Sequence, residues 1–313
     1  MYNDFFGFSE HPFSLTPDTL FFLNQQSHRE ALNTMLVALK HCEGFIKIVG
    51  EVGTGKTLLS RILLSRLNGD FVTAYIPNPY LSPDELKSFV AMEIGAQCGE
   101  NMPAHILMSS IYRKLMQLAR NGKQVVLVVD EAQAMPRETI ECLRLLTNLE
   151  TEKRKLLQVV ILGQPELDNL LSRSDLRQLK QRIIFSEYLH PFSREGVKEY
   201  ILHRMSLAGL ENKKLFSWSA LTLMYCGSGG IPRLINILAH KALICAYGRG
   251  DKTISAWHVA KAIADTQESR WLGKMCALHC KVPWSITAAY LLALPALQSL
   301  FQAHDIFILG VAI

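Results

Sequence analysis

The feature that most constrains this chain is a glycine-rich string between an apolar run and a stretch of helical periodicity. Residues 44–50 form the apolar run, and residues 58–67 have the apolar spacing of a helix. The string between them reads Gly50, Glu51, Val52, Gly53, Thr54, Gly55, Lys56 and Thr57. It matches G-x-x-x-x-G-K-[ST] at every fixed position and lies in the strand, loop and helix context of a phosphate-binding P-loop.

Each part of this string has a physical reason. Its three glycines let backbone N–H groups curl around phosphates, and the helix that continues from Leu58 adds its dipole to the anion site. Lys56 is predicted to reach the β- and γ-phosphates, and the Thr57 hydroxyl to ligate magnesium. We therefore expect residues 50–58 to bind ATP with Mg2+.

The surrounding pattern predicts an α/β fold. Apolar runs at residues 71–76, 124–129 and 156–162 alternate with helical segments at 83–97, 104–120 and 136–150, and a fifth strand is expected at 183–188. Continuous apolar strands that alternate with helices indicate a parallel sheet covered on both sides. Past Pro191 the strand pattern stops, and helical segments follow at 194–208, 217–226, 232–247 and 256–265. The predicted domains are therefore a P-loop core (1–190), a helical lid (191–268) and an apolar tail (269–313).

Composition and charge argue against a disordered chain, a secreted protein and a disulfide framework. With 313 residues, 49% of them hydrophobic, the chain can bury a sizeable core, and a net charge of +5 does not by itself indicate nucleic acid. The start of the chain has no secretory signal pattern, so we expect a cytoplasmic ATPase domain. Seven cysteines suit free thiols in a reducing compartment. Cys276, His279 and Cys280 cluster, but no second cluster completes a zinc site.

The tail leaves two interpretations open. Residues 282–303 carry no charge and are about long enough to span a membrane, yet six Ser, Thr, Gln and Pro residues dilute their hydropathy. The alternatives are a membrane segment and an apolar contact between subunits. Arg270, Lys274 and Lys281 precede the segment and would keep that side in the cytoplasm if it inserts.

Polar residues at the ends of two predicted strands indicate catalysis. Asp130 and Glu131 follow the buried run 125–129, where open α/β sheets bind ligands. Asp130 is expected in the magnesium shell, and Glu131 is expected to orient the attacking water. Gln164, after the run 156–162, could sense the γ-phosphate or position the water. The alternatives are a solvated acidic pair and a simple turn residue.

Three arginines are candidates for contact with phosphate. Arg177 and Arg182 lie in a basic segment before the fifth strand, from which an arginine can enter a neighbouring subunit's site. Arg182 is the preferred candidate, and a solvated helix face is the alternative for both. Arg233 follows Gly229, Gly230, Ile231 and Pro232 at a helix start, where it could contact the γ-phosphate or lie on the surface.

The motif set resembles the AAA+ ATPases, and within them the GspA/ExeA general secretion family. The strings that carry the resemblance cover about the first 265 residues: 4–8, 12–13, 27–30, the P-loop, 130–133, 145–150, 163–167 and 230–233. The resemblance implies that Gln164 is sensor 1, Arg182 the arginine finger and Arg233 sensor 2. It also implies that His28 and Arg29 border the adenine. Because few residues follow Ala303, a shorter protein of the MSHA-pilus (MshM) type is the expected match.

The expected function is an ATPase that assembles into a ring or partial ring and drives or regulates a type IV pilus or type II secretion machine. It would be associated with the inner membrane through its tail. The alternatives are a nucleotide-switched DNA-binding protein of the initiator or transposition type, and a scaffold that binds ATP without turnover. Nucleic acid is not expected, because an apolar tail occupies the position where a DNA-reading element usually follows the lid.

Overall fold

The structure is a computed structural model that describes residues 2–42, 44–67, 69–99, 102–152, 154–210 and 214–269. The cluster of Cys276, His279 and Cys280 and the uncharged segment 282–303, for which two interpretations were left open, lie outside the described residues.

The described chain first forms α1 (Tyr2–Phe6), α2 (Gln26–Lys40), β1 (Phe45–Gly50), α3 (Lys56–Arg66), β2 (Phe71–Ile76), α4 (Pro83–Ile94), α5 (Ala104–Arg120), β3 (Gln124–Val129) and α6 (Arg137–Leu146). It continues with β4 (Leu157–Gly163), α7 (Glu166–Leu171), α8 (Arg177–Lys180), β5 (Phe185–Leu189), α9 (Arg194–Leu207), α10 (Trp218–Ser228), α11 (Pro232–Arg249) and α12 (Ala256–Ala264).

The five strands form one parallel sheet in the order β2-β3-β4-β1-β5. Both neighbours of β1 are parallel to it: Ile46 pairs with Val160 of β4 and with Phe185 of β5. The predicted α/β fold with a five-stranded parallel sheet is confirmed. Since β4 lies between β1 and β3, the segments that follow these three strands leave the sheet side by side.

The interior strand β3 shows how the sheet buries both faces. Val125, Leu127 and Val129 pack into the cluster with α4, α5 and α6, whereas Val126 and Val128 pack into the cluster with α2 and α3. All five side chains are at most 1% exposed. A strand buried on both faces reads as a continuous apolar run, which is why the sequence pattern revealed it.

The long helix α2 was absent from the sequence prediction. Its apolar positions have helical spacing, and Ala31, Leu32, Met35, Ala38 and Leu39 are buried. Its first turn has no side-chain cap, because Gln25 occupies the N-cap position without a capping hydrogen bond. By contrast, α4 begins with a complete capping box of Ser82 and Glu85. The missing start signal at α2 explains the omission.

The described chain divides into two compact units. One comprises Leu15–Phe192 with Ile231–Arg233, and the other comprises residues 2–14, Ser193–Gly230 and the described residues from Leu234 onward.

This division differs from the predicted 1–190 core at the start of the chain, because residues 2–14 belong to the helical unit. The Tyr2 hydroxyl hydrogen-bonds His240 Nδ1 at 2.9 Å, and the Ser9 N–H donates to the Ala208 carbonyl at 2.8 Å. These two contacts attach the N-terminal segment to α11 and to the residue that follows α9.

In the described part of the chain, no helix combines the length and the apolar character that crossing a membrane requires. The same residues contain no group of three or more His, Cys, Asp or Glu side chains placed to hold a metal ion.

We expect Leu127→Ala to lower the free energy of unfolding of the P-loop unit by about 2–5 kcal/mol, because it opens a cavity in a fully buried strand. Leu20→Ala is the matched control, since Leu20 is 77% exposed and its truncation should change the stability by less than about 0.5 kcal/mol. Urea denaturation followed by circular dichroism measures both. Equal effects of the two variants would contradict the assignment of Leu127 to the core.

Candidate nucleotide site

The site lies where β1, β4 and β3 end beside one another. The P-loop follows β1, Gln164 follows β4, and Asp130 with Glu131 follows β3. In parallel sheets the carboxyl ends of neighbouring strands meet at one edge, where ligands bind. The strand order thus brings together residues that are more than a hundred positions apart in the sequence.

Two glycines of the P-loop adopt backbone conformations that favour glycine. Gly53 has φ +81° and Gly55 has φ +100°, both in the left-handed region. A Cβ at Gly53 would lie 2.6 Å from Arg233 Cβ, and one at Gly55 would lie 3.3 Å from His28 Nε2. The loop therefore forms a cradle of bare backbone with α3 starting directly behind it, as an anion site requires.

Lys56 is the buried cation of this cradle. Its side chain starts α3, is 4% exposed and donates to the carbonyls of Gly50 at 2.8 Å and Glu51 at 3.2 Å. Burial lowers the pKa of Lys56, while the negative charges of Glu131 and Asp130 oppose that effect. The ammonium group is held by neutral carbonyls at the base of the loop, where a phosphate would be a stronger partner.

Thr57 and Asp130 form the pair of oxygen ligands predicted for magnesium. The Thr57 hydroxyl donates to Asp130 Oδ2 at 2.7 Å, and the Tyr75 hydroxyl approaches the same oxygen at 3.4 Å. Asp130 is 2% exposed. Mg2+ usually takes one or two protein oxygens together with substrate phosphates, so a hydroxyl and a single carboxylate fit it.

Glu131 is held by two amides. Gln133 Nε2 donates to Glu131 Oε2 at 2.6 Å, and Gln164 Nε2 donates to the same oxygen at 2.9 Å. Burial would raise the pKa of Glu131, but the hydrogen bonds from Gln164 and Gln133, with the charge of Lys56, hold it below its usual value. Glu131 is therefore a carboxylate at neutral pH and able to accept a hydrogen bond from water.

His28 contacts the P-loop itself. Its ring is 3% exposed, lies between Phe22 and Phe192, and its Nε2 is 2.8 Å from the Thr54 carbonyl. Burial lowers the pKa of His28, although the hydrogen bond with Thr54 raises it. A carbonyl accepts only from N–H, so Nε2 carries the proton of a neutral imidazole. Arg29, the next residue of α2, is exposed.

The three candidate arginines occupy different places. The backbone N–H of Arg233 donates to the Gly53 carbonyl at 3.2 Å, so the start of α11 belongs to the P-loop unit although the predicted lid included it. Arg182 donates to Thr147 Oγ1 at 3.3 Å and also contacts Asn148 Oδ1. Arg177 lines a surface cavity of about 350 Å³ formed by residues 171–181. Neither Arg177 nor Arg182 reaches the P-loop of its own chain.

The sequence prediction missed the contacts of two residues at the site. Gln133 was noted only as part of a motif string, although its amide touches both Glu131 and the backbone of Gln164. Tyr75, beside Asp130, lies inside an apolar strand run that gives no signal for a polar role.

Comparison with known proteins identifies the domain that carries these residues. The family profile of the AAA domain matches residues 40–171. General secretion pathway protein A of Aeromonas hydrophila is 42% identical to this chain over 254 residues, which are 81% of this chain and 46% of that protein. The chain thus spans about half the length of this curated relative.

Solved structures with a similar fold include a Cdc6p protein and two ORC proteins. Cdc6p from Pyrobaculum aerophilum has a TM-score of 0.60 at 19% identity and covers 78% of this chain and 70% of its own. ORC1 of Aeropyrum pernix in complex with DNA has a TM-score of 0.58 at 18% identity, and the match covers 82% of this chain and 69% of ORC1. ORC2 of Aeropyrum pernix has a TM-score of 0.57 at 16% identity, and the match covers 81% of this chain and 72% of ORC2. Similarity at this level establishes the fold alone.

The fold, the P-loop and the matched profile define an AAA domain, a magnesium-dependent ATPase that binds and hydrolyses ATP. The relative at 42% identity, of which this chain covers 46%, supports the resemblance to the GspA/ExeA general secretion family.

We expect His28→Phe to weaken ATP binding roughly fivefold to tenfold, because it keeps the ring between Phe22 and Phe192 but removes the donor to the Thr54 carbonyl. Titration with a fluorescent ATP analogue measures the dissociation constant. His41→Ala, at the exposed end of the same helix, is the control and should bind as the wild type does. Unchanged binding by His28→Phe would show that this hydrogen bond does not support the loop.

Proposed function

We propose that this chain hydrolyses ATP within a ring or partial ring and thereby drives or regulates a type II secretion or MSHA-like type IV pilus machine. The observation that carries the ATPase part is the meeting of the P-loop, Asp130, Glu131 and Gln164 at three adjacent strand ends. The similarity to general secretion pathway protein A supports the secretion part. The narrower assignment to the shorter MshM type belongs to the same proposal.

Each residue has a proposed role in hydrolysis. Residues 50–58 bind the triphosphate, with Lys56 at the β- and γ-phosphates. Thr57 and Asp130 would hold the magnesium ion, which would offset the negative charge of the phosphates. Glu131 polarises the attacking water, and Gln164, whose amide lies 2.9 Å from Glu131, senses the γ-phosphate or positions that water. Arg233, beside Gly53, reports the bound nucleotide, and His28 with Arg29 borders the adenine.

The position of Arg182 supports catalysis between subunits. The backbone N–H of Ile184 donates to the Phe45 carbonyl, so Arg182 lies at the amino edge of the sheet. The P-loop begins at the other end of β1, about 16 Å away over five residue steps. An arginine side chain engaged with Thr147 and Asn148 cannot cover this distance. A catalytic arginine at this position would therefore act on the nucleotide of a neighbouring copy.

We expect Glu131→Gln to lower the ATPase rate at least about 100-fold and Arg182→Ala to lower it about 1000-fold when each is assayed alone. An equimolar mixture should recover about a quarter of the wild-type rate, because a quarter of the interfaces pair an intact Glu131 with an intact Arg182. Coupled-enzyme assays of assembled samples measure these rates.

Arg177→Ala, mixed in the same way, tests the second candidate. Full activity of Arg182→Ala alone, or a mixture that stays inactive, would rule out Arg182 as the finger.

Membrane attachment is the step that separates the machine proposal from its DNA-binding alternative. We expect the full chain to fractionate with the inner membrane and a chain that stops after Lys281 to fractionate with the soluble proteins. The physical reason is the uncharged segment 282–303. Immunoblots of separated cell fractions measure this, with Glu131→Gln in the full chain as the control for altered turnover.

A full chain that is entirely soluble would contradict membrane attachment. DNA binding that weakens with salt and rises with ATP would instead favour the alternative. Aeropyrum pernix ORC1 binds DNA, but at 18% identity this likeness carries no function to the present chain.

A further inference from the structure

Gln133 connects the two strand ends that carry Glu131 and Gln164. It lies in the short turn Ala132–Ala134 directly after Glu131. Its Nε2 donates to Glu131 Oε2 at 2.6 Å, and its Oε1 accepts the backbone N–H of Gln164 at 2.9 Å. The Gln133 amide therefore bonds through its nitrogen to a side chain after β3 and through its oxygen to the backbone after β4.

The two amides of the site converge on a single oxygen of Glu131. Gln164 Nε2 reaches Oε2 at 2.9 Å, beside the bond from Gln133. Among the described residues, no protein donor is recorded on the other oxygen, Oε1. Two donors on one oxygen fix the plane of a carboxylate, so Oε1 is the atom left to accept a hydrogen bond from water.

The backbone is shaped to allow this bridge. Glu131 has φ +50° and ψ +36°, a left-handed conformation that is strained for a residue other than glycine. This turn lets a side chain two positions later reach back to the Glu131 carboxylate. On the β4 side, a Cβ at Gly163 would lie 3.1 Å from Gln133 Oε1 and 2.7 Å from Leu167 Cδ2. The absence of a side chain at Gly163 leaves room for the amide.

We propose that Gln133 is a positioning residue for ATP hydrolysis, which holds the Glu131 carboxylate with Oε1 toward the attacking water and couples it to the strand end of Gln164. This inference rests on the proposed role of Glu131. Among the described residues, no hydrogen bond joins Gln133 to the P-loop or to Asp130. Gln133 therefore acts through Glu131 and not on the substrate.

The contacts of Gln133 give the inference a specific signature. Gln133 bonds to the Glu131 carboxylate and to the backbone of Gln164. Its loss should therefore lower kcat and leave KM for ATP nearly unchanged.

The test compares kcat and KM for ATP between the full chain and its Gln133→Met variant. Methionine keeps the length of the side chain and removes both hydrogen bonds. We expect kcat at neutral pH to fall roughly 10- to 100-fold and KM to stay within about twofold.

Gln158→Met is the matched control. Gln158 is a buried glutamine of β4, 2% exposed, and its amide donates to Gln124 Oε1 at 3.1 Å, away from the site. The control should keep the wild-type kcat and KM. If Gln133→Met kept the wild-type kcat, the inference would be wrong. A loss of kcat matched by the control, or accompanied by a rise in KM of similar size, would also overturn it, since either pattern reports only a disturbed fold.

Two different results would reject the proposed function and this inference. Wild-type ATPase activity that Glu131→Gln does not reduce would reject the role of Glu131, and the role of Gln133 with it. Normal loss of activity in Glu131→Gln together with an unaffected Gln133→Met would reject the role of Gln133 alone.

Discussion

The placement of β4 between β1 and β3 is the constraint on which the site depends. The hydrogen bond from Thr57 to Asp130 joins residues 73 positions apart, and it forms because the segments after β1 and β3 leave the same sheet edge on either side of β4. A different strand order would separate the P-loop from its carboxylates without changing either motif. The parallel register, buried on both faces, therefore determines the chemistry as well as the stability.

Burial then defines what each charged group can do. Lys56 is almost fully enclosed, and its ammonium contacts the carbonyls of Gly50 and Glu51. Neutral carbonyls compensate a buried cation only in part, so an arriving phosphate gains more there than it would on the surface. Glu131 is in the opposite situation, since neutral amide donors and the charge of Lys56 keep it ionised despite its burial. The site thus places the buried Lys56 ammonium and the ionised Glu131 carboxylate in one region of the fold.

The fold and the motif residues could be read from the sequence because their signals are local. Each strand is a continuous apolar run, and Gly50 to Thr57, Asp130 and Glu131 are fixed by spacing along the chain. Contacts across the fold gave no such signal. Three such contacts each join distant segments through one side chain. They connect Tyr2 with His240, His28 with Thr54 and Gln133 with Gln164. The helix α2 was missed for a local reason, since its start lacks a capping residue.

The geometry of Glu131 and the position of Arg182 bear on one question, which is what limits hydrolysis in a single chain. The carboxylate is already ionised and fixed by two amides, so activation of water needs no rearrangement of Glu131. The charge that develops on the γ-phosphate is different, because Arg182 lies at the far edge of its own sheet, engaged with Thr147 and Asn148. Under the proposed mechanism the water-activating half of the site is complete within one subunit, and the charge-stabilising half comes from the next. Assembly would then control the rate through electrostatic stabilisation and leave ATP affinity largely unchanged.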